Sequence, residues 1–246
     1  MANDLIALGA GFRRRILIEP GAGQVTAELE DDYHRMVVTL SHEGGVVTRV
    51  ESAMKRAPWT ACPGAMARLQ ETFTGVALAD VARRGEKSTN CTHLHDLATF
   101  AAAHANSAAP IAYDLHVSVS ADGTLEGRRT AHLRRDGVAL LDWTLDGMRF
   151  VAPEALAGAG LMEIGAYIAA QDKPMAEAIR ILRWAAIVAL GRMMDIPANM
   201  SATTFAGGNC YNFQPERAAD SFRKPGADVD FSTAGMEPLA DRTEAF

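Results

Sequence analysis

Cys62 and the run Cys91-Thr92-His93-Leu94-His95-Asp96 hold the side chains best suited to bind a metal or activate a nucleophile. Both cysteines fall where a helix is expected to begin. Pro63 suits a first helical turn because its missing N–H is not needed there, and Asn90 and Thr92 are good caps. Backbone N–H groups and the helix dipole favour a thiolate at such a place. Cys91 and His95 are four apart, which puts them on one helix face, with His93 pointing elsewhere. Cys62, Cys91 and His95, joined by Asp96 or His93, would supply soft and borderline ligands for a single zinc or iron. The spacing follows no standard zinc motif. A metal-free site therefore stands beside this reading, as does a purely structural role for buried thiols and packing histidines.

A second chemistry is acid–base. His34 shares an alternating face with Met36, Val38 and Leu40. A polar ring among apolar neighbours needs a partner, so it is either a satisfied core histidine or a general base at the edge of a sheet. His34 or His95 as base, with Tyr211, forms the catalytic set considered. Substrate contacts would come from Arg56 and Trp59, in Arg56-Ala57-Pro58-Trp59, and from Phe213, Gln214 and Arg217. The last three lie in the densest polar and aromatic run, 207–217. The plain alternatives are a core Trp59 and a surface pair Glu216–Arg217. No Gly-Lys-Ser/Thr loop, Gly-x-Ser-x-Gly elbow, dinucleotide fingerprint or kinase signature is present.

The elements that must position these residues read as an α+β fold with two antiparallel β-meanders and packed helices. Alternation and turn residues predict strands at 13–18, 24–29, 34–40 and 46–53. Helices follow at 65–73 and from Asn90 or Thr92 to about His104. Strands return at 113–120, 128–134 and 138–145, before a long helix over 174–194 and a short one from Pro215. The tail after Arg223 reads as a loose surface wrap. The tri-arginine Arg13–Arg15 reads as the solvated face of its strand, or else as a contact for an anion or a partner. A joint at 106–110 divides the chain into 1–106, carrying Cys62 and Cys91, and 107–246, with the second meander, long helix and C-terminal motif. The two are expected to pack as one globular unit. The segments around Cys62, Cys91 and Tyr211 are expected to meet within about two helix diameters, ~20 Å.

Composition narrows the partners. The 246 residues are 48% hydrophobic and 22% charged, with a net charge of −6. That argues against a nucleic-acid partner, which would call for a basic patch. The longest apolar stretch, 179–190, is broken by Arg180 and Arg183, so no membrane span is expected. No secretory signal is read at the N-terminus. Three cysteines are too few and too irregular for a disulfide framework, so the expectation is a cytoplasmic protein with reduced thiols. A homodimer is the oligomeric state considered.

The runs Arg56-Ala57-Pro58-Trp59-Thr60-Ala61-Cys62-Pro63-Gly64, Asn90 to Asp96 and Cys210-Tyr211-Asn212-Phe213-Gln214-Pro215 resemble a bacterial family described as a domain of unknown function, over nearly the whole chain. That family is widespread in bacteria that degrade aromatic compounds. The resemblance thus implies a small-molecule enzyme, a lyase on a phenolic, lignin-derived substrate. It would break a C–C bond at a hydroxymethyl group by acid–base catalysis and release formaldehyde. Separately, about 32–106 is similar to iron–sulfur scaffold proteins of the IscU/NifU type, with Cys62 and Cys91 at the first two cysteine places. No His-Cys pair follows in the next helix. This second resemblance implies a metal- or cluster-binding scaffold or carrier. A regulatory ligand-binding domain without turnover is the third reading.

Overall fold

Alternating apolar positions in the first quarter of the chain become four strands: β1 (Gly11–Gly21), β2 (Gln24–Asp31), β3 (Arg35–Glu43) and β4 (Val46–Arg56). The computed structural model describes residues 8–232 and 236–245. Two tight turns join β2 to its neighbours in sequence. Gly23 takes the first with φ 70°, a left-handed conformation that costs glycine nothing. The second, Asp31 to His34, is closed by the Asp31 N–H to the His34 carbonyl at 2.9 Å and tied further by side chains. A second set follows: β5 (Ile111–Ser118), β6 (Arg128–Arg135), β7 (Val138–Asp146) and β8 (Arg149–Ala152). The strands hydrogen-bond into one antiparallel sheet in the order β4-β3-β2-β1-β5-β6-β7-β8. The two expected meanders are therefore joined through β1.

Six α-helices occur among the described residues: α1 (Ala65–Phe73), α2 (Leu78–Val81), α3 (Thr92–His104), α4 (Gly165–Ala169), α5 (Lys173–Val188) and α6 (Pro215–Ala218). Leu69 and Phe73 lie four apart on α1 and are both fully buried. Asp172 starts α5 by accepting a hydrogen bond from the Met175 N–H at 2.9 Å. α5 tightens into a 3₁₀ turn over Ala189–Met193, where the pattern alone predicted continued helix. No helix among the described residues is long and apolar enough to cross a membrane.

The chain folds as two compact units. One is Ile16–Ile111 together with Ile196–Val229; the other is the stretch up to Arg15, Ala112–Asp195 and the stretch from Asp230. β1 gives its first residues to the second unit and its last to the first. The joint drawn at 106–110 lies next to the change of unit at Ile111, but 196–229 goes back to the unit of the first half. All the candidate site residues lie in that first unit.

The tri-arginine is not a solvated face. Arg13 and Arg14 are buried, and an Arg13 Nη donates to the Phe231 carbonyl at 2.6 Å. Arg15 pairs with Asp114 at 3.0 Å. In a strand covered on both faces, alternation no longer marks one side as wet.

Candidate active site

The site starts from a turn that one carboxylate ties. Asp31, at the end of β2, is fully buried. Its Oδ1 accepts hydrogen bonds from the Tyr33 N–H and the His34 N–H, each at 2.8 Å. This is the local bonding that lets aspartate build a turn from its own side chain. The same oxygen lies 3.0 Å from His34 Nδ1. That contact fixes the ring with Nδ1 as donor and leaves Nε2 with the lone pair in the neutral imidazole. Arg56, at the end of β4, clamps the turn from behind. Its guanidinium donates to the Asp32 carbonyl (2.7 Å), the Asp31 carbonyl (2.8 Å) and Glu30 Oε1 (2.9 Å). Expected as a substrate-binding residue, Arg56 is instead committed to holding the loop.

His93, in the first turn of α3, lies against His34 with ring centroids 3.9 Å apart and planes tilted by 31°. Among the described residues, Asp31, His34 and His93 are the one set of three or more metal-capable side chains whose ligand atoms all lie within 4.8 Å of one another. All three are buried.

The expected trio Cys62, Cys91 and His95 does not form such a set. His95 turns the other way. Its Nε2 lies 3.2 Å from the Gly85 carbonyl and its ring 5.0 Å from that of Phe73. Burial lowers the pKa of this imidazole below its ordinary value. The face rule failed because Cys91 is the N-cap of α3, with extended backbone at φ −64° and ψ 119°, and so lies outside the helix whose periodicity was counted. α3 also packs on β2 and β3 on one side and on α1 and α2 on another. His93 and His95 are therefore both buried, against different neighbours. Asp96 is taken up by Lys87, at 2.7 and 2.8 Å.

The thiols are not activated. Cys62 lies in a 3₁₀ turn, Cys62–Gly64, and burial pushes its thiol up to about 12. Burial raises Cys91 further, with the nearby Cys62 as the next cause, and raises Cys210 as well. Loss of hydration outweighs the helix N-terminus here, so the expected thiolates are neutral thiols in this environment. Cys91 Sγ lies 4.0 Å from Met36 Sδ, a soft contact on the His34 face of β3.

The three motif segments do meet. The Tyr211 N–H donates to the Asn90 carbonyl at 2.8 Å. A Cβ added at Gly64 would lie 2.6 Å from the Tyr211 hydroxyl, so a larger residue would push the ring aside. Gln214 donates to the Ser88 carbonyl at 2.7 Å and serves as a tie rather than as a free contact. Phe213 packs edge-on to Trp59, centroids 5.4 Å apart, and Phe205 completes the cluster. Arg217 sits 4.0 Å over the Tyr211 ring and also pairs with Glu216 at 2.7 Å. Asp31 and Asn90 were missed as site residues. The signal for Asp31 was present, an aspartate three residues before a histidine at a strand end.

Residues 10–106 match the family described as "Protein of unknown function (DUF2889)". The match contains Asp31, His34, Cys62, Cys91 and His93, and ends before the Cys210–Pro215 run. No curated protein matches the chain.

Proposed function

We propose that the protein is a small-molecule lyase of bacterial aromatic catabolism, working by general acid–base catalysis in the cytoplasm, with His34 as the base. The observation that carries this reading is the contact of buried Asp31 with His34 Nδ1, at 3.0 Å. An aspartate that holds one ring nitrogen sets the tautomer and stabilises the imidazolium once the other nitrogen takes a proton. Tyr211 and Phe213, both half-buried, offer the aromatic and hydroxyl surface for a phenolic ring, with buried Trp59 packed against Phe213.

In the step envisaged, His34 Nε2 takes the O–H proton of a substrate hydroxymethyl group. The C=O bond of formaldehyde forms as the C–C bond breaks. The released electron pair passes into the conjugated aromatic system, and the proton on His34 returns to that carbon. Atoms and charge balance with no oxidant or reductant. Stabilising the charge that develops is the largest demand on the site.

The test is formaldehyde release from phenolic compounds that carry a hydroxymethyl group one carbon from the ring-conjugated position. His34→Gln should lower kcat by roughly 10²–10⁴-fold, the usual contribution of a positioned base. Asp31→Asn should lower it less and shift its pH profile. Wild-type protein that releases no formaldehyde from the whole panel would sink the reading.

A second reading, a metal- or iron–sulfur-binding carrier, is favoured by the three thiols' proximity: Cys210 lies close enough to raise Cys62, and Cys62 and Cys210 close enough to raise Cys91. Elemental analysis of the purified protein decides it. A carrier should hold about one zinc or iron per chain and lose it in Cys91→Ala.

A further inference from the structure

We infer that Asp31, His34 and His93 form a seat for one divalent transition-metal ion of the zinc class, with the two imidazoles as its nitrogen donors. Nothing in the family match assigns such a site. The thiols noted in the sequence are not its ligands.

The case rests on pre-organisation. A histidine that binds a metal through one nitrogen almost always donates its other N–H to a carboxylate or a carbonyl, which fixes the ring and raises its basicity. His34 already stands in that relation to Asp31, whose Oδ1 also takes two backbone N–H groups. The lone pair of His34 Nε2 is thus presented without further reorganisation. The second donor, His93, is held by the first turn of α3 and lies against the His34 ring. Two histidines beside a carboxylate suit zinc and the later first-row ions.

Distance is the demanding part. Donors on a tetrahedral ion with metal–nitrogen bonds of about 2.05 Å lie about 3.4 Å apart. The candidate ligand atoms lie within 4.8 Å of one another. Loading therefore needs the side chains to draw together, with the two rings turning to aim one nitrogen each at the ion.

Charge also fits. Two imidazole nitrogens beside one buried carboxylate make a seat that a dication completes. The inference goes beyond the lyase reading and does not rest on it. If both hold, ion and substrate proton compete for His34 Nε2, so added zinc inhibits formaldehyde release.

The experiment is titration of the full-length protein with Co(II) and Zn(II), followed by visible absorption and calorimetry, with no substrate present. The expected result is one saturable ion per chain. Its Co(II) spectrum should show ligand-field bands and lack the thiolate-to-metal charge-transfer band. His34→Gln and His93→Gln should each weaken binding at least tenfold; Cys62→Ser and Cys91→Ser should leave it within about twofold. Asp31→Asn should weaken it 10–100-fold, the usual effect of losing a carboxylate behind a ligand histidine. Absence of saturable binding overturns the inference. So does a strong thiolate band in the wild-type spectrum, which is decisive even if a histidine variant fails to fold. Formaldehyde release plays no part in the measurement, so the lyase reading can fail separately.

Discussion

His116 occupies the middle of β5, fully buried in the unit that does not hold the candidate active site. Burial pushes its imidazole down to about 4, against a contact with the Gly9 backbone and helped by the positive charge of His132, Arg13 and Arg192. Its ordinary value is about 6.5. Between these two values the unfolded chain binds a proton that the folded chain refuses, so acid favours unfolding. Stability from this residue should be complete above pH 6.5, decline as pH falls toward 4 and level off below it. The loss should be no more than about 3 kcal/mol. Denaturant midpoints at pH 7, 5.5 and 4.5 check this: wild type should fall more steeply than His116→Gln, and parallel curves would refute it. At this scale the sequence was legible where a residue type announces a need. His34 on an apolar face required a partner and has one. It was not legible where the partner is conferred by a turn: Asp31 is one of two adjacent aspartates, and nothing in their types says which one is buried against a ring.

Among the elements, the loop from Asp31 to His34 depends on a strand two after β2 in the chain, since Arg56 closes β4 by holding the carbonyls of Asp31 and Asp32. Arg56→Ala leaves two carbonyls and Glu30 without this donor. It should cost about 1–3 kcal/mol, the range for buried partners left unsatisfied. Hydrogen exchange at the Tyr33 and His34 amides should speed up, because only the bonds to Asp31 Oδ1 and the Asp31 N–H to the His34 carbonyl then hold the turn. Arg56→Lys should not restore protection, as a single ammonium cannot span the acceptors that the guanidinium fork reaches. Amides that stay equally protected in Arg56→Ala would show that the clamp is not needed. Longer elements were well marked in the sequence: β1 to β7 and α1 stand close to where alternation and the Leu69–Phe73 spacing put them, whereas the short β8, α2 and α4 were not read. Faces were less well marked. α3 has neighbours on more than one side, so its two histidines serve different surroundings, and Cys91 lies one residue outside the helix it caps.

The whole chain shows why local patterns stop short of the site. The unit that holds it is built from two stretches, Ile16–Ile111 and Ile196–Val229, with more than eighty residues of the other unit between them. The returning stretch carries Tyr211 to Asn90 and bridges Arg223 to Trp59. It also bonds Ser221 to Asn212 in the interior and places Phe222 against Thr60, with a 3.0 Å hydrogen bond. No local periodicity records that 196–229 must come back, because its fit is to side chains a hundred residues earlier. The family match ends at residue 106 and so leaves that cover out. A fragment of 10–106 would keep Asp31, His34 and His93 but expose the apolar neighbours of Trp59 and Cys62. It is expected to fold non-cooperatively, with tryptophan emission shifted to the red. Cys62 and Cys91, buried in the full chain, should react readily with an aromatic disulfide reagent in the fragment and slowly in the intact protein. Adding a 196–229 peptide should restore protection in part, since it supplies the missing contacts without the covalent link. If the fragment alone protects both thiols, the first stretch is self-sufficient, and the C-terminal motif acts on the site through chemistry rather than through folding.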